Sequence, residues 1–452
     1  MSNSDAAETT AGNSETAAGA AETVDVVVIG AGFAGLIASR ELGNAGYRVL
    51  TLEARDRVGG RTWTDHRLDH DLELGGTWVH WVQPHTWAEM TRYGREIVRS
   101  PAAEEARWLG AGGERRVASL DEFMALISPG QQRIIDDVRD IMPRGTEPTV
   151  GGIAAIDHLT IQQRIDSLEM SEEARSANES VWVGHVNAPL DQTGISSAYR
   201  WVSATGGHWE LMHEASATYR VVGGMSEWTR LIAKSVPGEI RLNTRVTAVA
   251  QHPGGTTVTC ANGTQINARA VISTLPANAI GGIKFSPELP AVWQRQFAEK
   301  VASQGTKVWV KVRGSLPRFF GYATPQHPLS VLKSEFVHDD FSILVGFGPD
   351  HTALDVSDLG AVQAAVDAIR PGLEVVDATS HDWVADPLSR NTWMTHRPGQ
   401  LSRDLAELQQ PQGVLHFATT DNADLWGGFI DGAIESGLRE AHTVAEALGP
   451  QN

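Results

Sequence analysis

Cysteine is almost missing from this chain of 452 residues, and its single example, Cys260, excludes an internal disulfide. A chain without disulfides fits a reducing compartment. Long apolar runs are missing as well, since Val26–Ile29 is far too short to span a membrane. The first residues lack the basic start and the apolar core of a secretory signal. We therefore predict a cytoplasmic protein that does not associate with membranes.

Bulky residues are scarce at the N-terminus, where Ala, Ser, Thr, Glu, Gly and Asn dominate. Such a composition buries too little apolar surface to fold, so residues 1–23 are predicted to form a disordered tail. Positive charge is in deficit too, because 37 Lys and Arg face 55 Asp and Glu, for a formal net charge of −18. This acidic balance argues against a nucleic-acid partner.

Two pairs of histidines lack the spacing of metal ligands on one face of a helix. His80 and His85 are five residues apart, as are His208 and His213. Two ligands on one helical face are typically three or four residues apart. We predict no metal site.

What the sequence does contain is a complete β-α-β unit near its start. The β-branched run Asp25–Ile29 predicts a buried strand, and a glycine-rich turn follows it. An apolar pattern then predicts a helix that ends near Gly43, before a second strand over Tyr47–Leu52. This order is typical of a dinucleotide-binding domain.

Each residue of the turn has a physical role in that type of domain. Gly30 permits the tight turn, Gly32 lets the backbone approach a pyrophosphate, and Gly35 allows close packing of helix on strand. The helix N-terminus offers free N–H groups to phosphates. Glu53 ends the second strand, at the position where a carboxylate meets a ribose hydroxyl and disfavours a 2′-phosphate.

Two glycine pairs follow this unit. The run Arg57–Thr62 reads Arg-Val-Gly-Gly-Arg-Thr, and Glu73–Trp78 reads Glu-Leu-Gly-Gly-Thr-Trp. Both resemble motifs of the flavin-containing amine oxidase family, which includes monoamine and polyamine oxidases. The segments Trp78–Met90, Asp382–Pro387 and Ile430–Gly437 resemble, within that family, those of bacterial nicotine oxidoreductases.

Further segments fit the same family in the expected order. Leu242–Val249 and Val271–Pro276 resemble the strands beside the adenosine, and Val414–Ala418 with Asp421 resembles the strand end that holds the ribityl chain. A helix to Leu448 would direct its N-terminus at the flavin ring. The resemblance implies a set of residues that bind FAD. They are Gly30, Gly32, Phe33, Ala34, Gly35, Glu53, Ala54, Arg55, Gly59, Gly60, Arg61, Gly75, Gly76, Thr77, Trp78, Val246, Asp421, Phe429 and Ile430.

The family also implies the fold class and a discontinuous domain layout. The expected architecture is α/β, with a Rossmann-like FAD-binding domain of the GR2 type and a discontinuous α+β substrate domain. The FAD-binding domain would comprise residues 24–80, 215–280 and 400–448. The substrate-binding domain would comprise residues 81–214 and 281–399.

Three residues are implied to carry the chemistry. Lys307 is similar to the family lysine that holds a water at flavin N5, although a lysine at a strand start is also a common exposed residue. Trp393 and Phe429 occupy the positions of the two aromatic walls beside the substrate nitrogen. Covalent relatives carry a cysteine just before the first wall, where this chain has Thr392, so we expect non-covalent FAD.

These features together predict an FAD-dependent amine oxidase or dehydrogenase. A hydride passes from the carbon beside nitrogen to flavin N5, and the resulting imine hydrolyses. Nicotine-like cyclic, secondary or aromatic amines are favoured as substrates. The alternatives are a mono- or diamine (polyamine) oxidase, a flavin oxidase or desaturase acting on a non-amine, and a non-catalytic flavin-binding protein. The electron acceptor, whether O2, a cytochrome or a quinone, and a homodimeric assembly stay open.

Overall fold

The computed structural model describes residues 22–450. The predicted tail, residues 1–23, lies outside the described residues except for its last two. Glu22 and Thr23 belong to the first strand, where they pair with Ile266 and Asn267. The ordered chain therefore begins at least two residues earlier than predicted, because the parallel ladder extends beyond the apolar run.

The described residues form strands in two large and two small sheets. The strands are β1 (Glu22–Ile29), β2 (Val49–Leu52), β3 (Thr64–Arg67), β4 (His70–Glu73), β5 (Trp78–Val79), β6 (Ile97–Arg99), β7 (Glu105–Leu109), β8 (Arg115–Ala118), β9 (Tyr219–Val221), β10 (Glu239–Arg241), β11 (Val246–His252), β12 (Gly255–Cys260), β13 (Gln265–Ser273), β14 (Lys284–Ser286), β15 (Thr306–Arg313), β16 (Phe319–Tyr322), β17 (Val331–Val337), β18 (Phe341–Gly348), β19 (Val375–Ser380) and β20 (Leu415–Phe417).

Helices lie between these strands and cover the sheets. They are α1 (Phe33–Asn44), α2 (Pro84–Arg92), α3 (Leu120–Ile134), α4 (Val138–Ile141), α5 (Ile153–Ile156), α6 (Ile161–Asp166), α7 (Glu172–Val186), α8 (Ile195–Ala204), α9 (Trp209–Ala217), α10 (Gly224–Lys234), α11 (Ala291–Glu299), α12 (Leu359–Ile369), α13 (Gln400–Leu408) and α14 (Ile430–Leu448), with short 3₁₀ turns at Ile280–Gly282 and Thr420–Asn422.

The first large sheet contains the predicted nucleotide-binding unit. Its order is β10-β2-β1-β13-β12-β11-β14, and β20 also pairs with β13. The central pairs β1–β2, β1–β13 and β13–β20 are parallel. Strands buried on both faces need continuous apolar runs, and Val26, Val27 and Val28 are fully buried. The predicted α/β class and its β-α-β unit are confirmed.

The second large sheet supports the other half of the molecule. Its order is β19-β15-β18-β17-β16-β7-β8, and it is antiparallel except for the pair β16–β7. Helices α3–α9 pack into a core that includes Trp182, Trp201 and Trp209. Immediately before these helices, the chain also contributes β7 and β8, and β8 forms one edge of the sheet.

The division into two domains stays a prediction. The positions of the strands in the two large sheets can be compared with its proposed boundaries. All seven strands of the second sheet lie within 81–214 and 281–399. In the first sheet, only β14 (Lys284–Ser286) lies beyond the proposed boundary at residue 280, because it pairs with β11. Residues 242–245 precede β11 as a turn, with Asn243 in the left-handed region, so the strand predicted from Leu242 begins at Val246.

Two smaller observations concern the cysteine and the membrane prediction. Cys260 is buried at the end of β12, which is usual for a free cysteine. Every helix within residues 22–450 is too short or too polar to cross a bilayer.

Candidate active site

One cavity connects the glycine turn of the first sheet to the aromatic core of the second. Its lining begins at Gly30 and Glu53 and reaches Lys307, Trp393 and Phe429. Every predicted site residue lines this cavity except Gly35 and Asp421. The fold thus brings together segments that lie hundreds of residues apart in the chain.

Gly35 lies behind the cavity because it joins α1 to β1. A Cβ on Gly35 would come within 2.0 Å of the Gly30 carbonyl oxygen, so only glycine permits this contact. Gly30 has φ +106°, a conformation that L side chains rarely adopt. These two residues therefore set the position of the turn.

Gly32 and Gly60 form an open cradle on the cavity wall. A Cβ on Gly32 would meet no protein atom closer than 3.8 Å, where it reaches the Cα of Gly60. Gly32 is also the N-cap of α1, and no side chain caps that helix end. The first N–H groups of α1 lack intrahelical partners, so they can bind an anion such as a pyrophosphate.

Glu53 lies at the end of β2 and is held from both sides. One carboxylate oxygen accepts from the Ala31 N–H at 2.8 Å and the other from the Arg55 N–H at 2.8 Å. A carboxylate has about four acceptor sites, so lone pairs remain for ribose hydroxyls. Position and chemistry both fit a dinucleotide.

Asp421 lies beside the cavity lining and not in it. Its buried carboxylate accepts from Arg61 at 2.9 Å and from the Ala277 N–H at 2.8 Å. Arg61 also donates to the Thr392 carbonyl at 2.8 Å and lines the cavity itself. The Asp421 carboxylate therefore orients Arg61, and its own contact with a cofactor stays a prediction.

A second helix N-terminus borders the middle of the cavity. Helix α14 begins at Ile430 after the N-cap Phe429, again without a capping side chain. The carbonyl of Phe429 accepts from the Thr420 hydroxyl at 2.6 Å, which fixes the backbone there. The positive end of the helix dipole stabilises nearby negative charge, such as that of a reduced flavin.

Lys307 is buried, so the alternative of an exposed lysine at a strand start is wrong. Its Nζ donates to the carbonyls of Glu73 at 2.7 Å and Gly75 at 3.0 Å, and also to the Thr77 hydroxyl. The ammonium lies 5.1 Å from the centre of the Trp78 ring. The second glycine pair therefore holds this lysine at the cavity wall.

Burial lowers the pKa of Lys307 to about 7, while the nearby Glu73 carboxyl opposes the shift. Burial also raises the pKa of Glu73, although the Met225 N–H and the Thr64 hydroxyl stabilise its charged form. A lysine that loses its proton near neutral pH is typical of functional sites.

A second buried lysine, Lys333, lies beside the first and was not predicted. Its Nζ lies 3.1 Å from a Glu335 oxygen and 4.6 Å from the centre of the Trp78 ring. Arg220 pairs with the other Glu335 oxygen at 2.7 Å. Burial lowers the pKa of Lys333, and Glu335 opposes this shift. Two cations thus share one carboxylate behind the cavity wall.

Aromatic and apolar side chains dominate the remaining wall. The Trp393 indole donates to the His185 carbonyl at 2.9 Å, and the Phe347 ring lies 6.2 Å from it. Phe429 packs edge-on against Trp201, with ring centres 5.6 Å apart. Both predicted walls therefore border the cavity, and both are fixed by neighbours from α7 and α8.

The cavity also contains a histidine pair that sequence reasoning missed. His213 Nδ1 lies 3.2 Å from His185 Nε2, and both side chains line the cavity. They are 28 residues apart on α7 and α9, so no sequence spacing reveals them. In the part of the chain that the structure describes, no group of three or more His, Cys, Asp or Glu converges as a metal site.

The histidine pair makes acid sensitivity testable. Burial lowers the pKa of His185 to about 3 and that of His213 to about 4, against an ordinary value of 6.5. Below pH 6.5 the unfolded chain binds more protons than the folded one, so this stability is full above pH 6.5 and is lost as the pH falls towards 4. We expect the melting temperature of His213→Gln to fall less over this range than that of the unaltered protein. A parallel decline of both proteins would contradict the assignment.

Comparison with known proteins gives matches across nearly the whole chain. The family model described as flavin containing amine oxidoreductase matches residues 33–445. A nicotine dehydrogenase of Pseudomonas putida is 34% identical over 94% of this chain and 89% of its own length. A pseudooxynicotine dehydrogenase of a Pseudomonas species is 32% identical over 95% of this chain and 87% of its own.

Solved structures resemble the same architecture. An engineered putrescine oxidase superposes with a TM-score of 0.83 at 24% identity, covering 94% of this chain and all of its own. Cyclohexylamine oxidase from Brevibacterium oxydans gives 0.78 at 22% identity, covering 94% of this chain and 99% of its own. At these identities the likeness shows the fold.

Proposed function

The chain belongs to the family of flavin-containing amine oxidoreductases, and from this premise we propose that it uses FAD to oxidise nicotine-like cyclic or secondary amines. The observation that supports this most is a dinucleotide cradle that opens into an aromatic cavity, with Lys307 between them. The names of the two Pseudomonas relatives favour nicotine-like substrates over other amines.

The reaction needs little from side chains except that they orient the amine and exclude water around it. A bound flavin supplies the acceptor for two electrons. The C–H bond beside nitrogen breaks with its electron pair, the nitrogen lone pair forms the C=N bond, and water then hydrolyses the imine. Trp393 and Phe429 would orient the amine, and their apolar surroundings favour its neutral form, which has the lone pair.

We assign the individual roles as proposals. Residues of the glycine turn, Glu53 and Arg61 would hold the dinucleotide, and Val246 would contact the adenine. Lys307 would hold a water at flavin N5. An electron acceptor is required by the family chemistry, and O2, a cytochrome and a quinone all fit. The cytoplasmic location, the homodimer and the two-domain division also stay predictions.

The cofactor is proposed to be FAD held without a covalent bond. Support comes from the β-α-β cradle with Glu53, which suits an adenine dinucleotide, and from Thr392 in place of a cysteine. We expect acid precipitation to release a yellow supernatant that separates as FAD by chromatography. Flavin retained on the precipitated chain, or flavin released as FMN, would contradict this assignment.

The charges along the cavity favour an amine with a single positive centre. Among the described lining residues, Glu53 is the only carboxylate, and it lies at the nucleotide end. Lys307 and Lys333 line the middle, so a second ammonium of a diamine would meet cations without a partner. A diamine such as putrescine should therefore be a poor substrate.

An anaerobic amine panel tests both the class and the preference. We expect an N-methylpyrrolidine carrying an aromatic ring to bleach the flavin, and putrescine at the same concentration to leave it oxidised. Bleaching by putrescine alone would favour the diamine alternative. No bleaching by any amine would favour the non-amine oxidase or the non-catalytic flavin-binding protein.

A further inference from the structure

The distal part of the cavity contains polar groups that amine oxidation does not use. His185 on α7 and His213 on α9 share one short contact, between Nε2 and Nδ1 at 3.2 Å. Val181, Met212 and Phe320 contribute apolar surface to the same cavity, and Lys333 contributes a charged group. A polar pair in such a wall needs a partner, because each unsatisfied buried group is costly.

The pair satisfies only part of its own hydrogen-bonding capacity. One hydrogen bridges the two rings, so each neutral imidazole keeps one outer nitrogen. The structure gives His213 Nε2 no hydrogen-bond partner among residues 22–450. The nitrogens left over are His213 Nε2 and His185 Nδ1. One of them carries a hydrogen and can donate, the other has a lone pair and can accept, and the tautomer decides which is which.

Neighbouring charge favours a ligand that presents an acceptor atom. Lys333 and His213 both approach the Phe320 ring, with the Nζ 5.8 Å and the imidazole centre 6.2 Å from its centroid. Lys333 and Arg220 together carry one more positive charge than Glu335 balances. Of the charges that act on His213, that of Lys333 outweighs the opposing charge of Glu214, so the local potential is positive. A positive potential attracts a partially negative atom and repels a cation.

We propose that the His185–His213 pair is a recognition subsite for a neutral hydrogen-bond acceptor at the end of the substrate remote from the oxidised carbon, such as a ring nitrogen or a carbonyl oxygen. The inference rests on the proposed amine oxidation and adds what the second end of the amine must carry. The carbonyl of His185 also accepts a hydrogen bond from the Trp393 indole. The same residue of α7 therefore contacts both this subsite and the aromatic wall that would lie beside the reacting nitrogen.

The test compares two amines that differ in one atom. An N-methylpyrrolidine with a pyridyl ring offers the acceptor, and its phenyl analogue does not. Dissociation constants come from anaerobic flavin reduction at increasing amine concentration, in holoenzyme. We expect the pyridyl amine to bind about tenfold more tightly than the phenyl amine, as for one net hydrogen bond.

The variants locate that preference. In His213→Phe the ratio of the two dissociation constants should fall to near unity, and in His213→Gln, which restores a donor, part of it should return. His208→Phe makes the same change at the exposed N-cap of α9 and should keep the full ratio. Because the ratio is internal to each variant, a general loss of packing does not move it.

The outcomes separate this inference from the function on which it rests. Bleaching by both amines with an undiminished pyridyl preference in His213→Phe overturns the subsite and leaves amine oxidation intact. The absence of any preference in the unaltered enzyme has the same meaning. Failure of both amines to bleach the flavin of the unaltered enzyme overturns the proposed function and the subsite together.

Discussion

Lys307→Met should slow flavin reduction by an amine, or flavin re-oxidation, by about 100-fold while the flavin stays bound. Methionine has a similar length but donates no hydrogen bond, whereas the lysine makes three, to Glu73, Gly75 and Thr77. An ammonium with a pKa near 7 at the cavity wall is suited to holding a water or moving its proton. Stopped-flow measurement of the two half-reactions gives both rates.

A matched control lies on the same face of the same strand. Lys311 lies four residues after Lys307 on β15 and donates a hydrogen bond to the exposed Asp69. Lys311→Met should leave the rates of both half-reactions unchanged. If Lys307→Met binds flavin and both rates equal those of the unaltered enzyme, then Lys307 is a structural residue of the cavity wall.

Gly32→Val should abolish flavin binding without unfolding the protein. A Cβ on Gly32 would make only ordinary van der Waals contact, at 3.8 Å from the Gly60 Cα, so we expect the fold to tolerate the side chain. It would occupy the place where a pyrophosphate must approach the backbone and the N-terminus of α1. We expect colourless material with native far-ultraviolet circular dichroism and flavin affinity reduced more than about 100-fold, since a clash and lost phosphate contacts combine.

Gly281→Val serves as the control for a glycine-to-valine change. Gly281 is exposed in a short 3₁₀ turn, and a Cβ there makes only ordinary contact with Phe297, at 3.5 Å. This variant should remain yellow. A yellow Gly32→Val protein would show that the flavin phosphates do not lie at the glycine turn.

The nucleotide end of the molecule could be predicted because its chemistry is local. The geometry of the turn requires glycine at positions 30 and 35. A Cβ at position 30 would collide with the Thr274 hydroxyl, and a Cβ at position 35 would collide with the Gly30 carbonyl. Such constraints leave a pattern in consecutive residues, and the strand, the helix and the acid follow at fixed spacing. The resemblance to a known family then added Lys307 and the two aromatic walls.

The distal end could not be predicted, because its contacts depend on how remote elements pack. His185 and His213 meet only because α7 and α9 lie together over the second sheet. Lys333 is buried because Glu335, two residues along the same strand, balances it. The hydrogen bond between Arg61 and Asp421 joins residues 360 positions apart in the chain, so no local pattern indicates it.

The pairing of β13 has a consequence for biosynthesis. At Val271–Ser273 this strand lies between β1, the first strand described, and β20, which begins only at Leu415. Helix α14 then packs on α1, where Gly437 approaches Ala34 so closely that a Cβ would come within 2.5 Å of its carbonyl oxygen. A ribosome must therefore deliver the chain from Glu22 to Phe417 before the first sheet is complete. Because Phe429 and Ile430 line the cavity, a flavin can reach its complete site only after these residues have been synthesised. A nascent chain that is still shorter exposes unpaired strand edges to aggregation and to proteases.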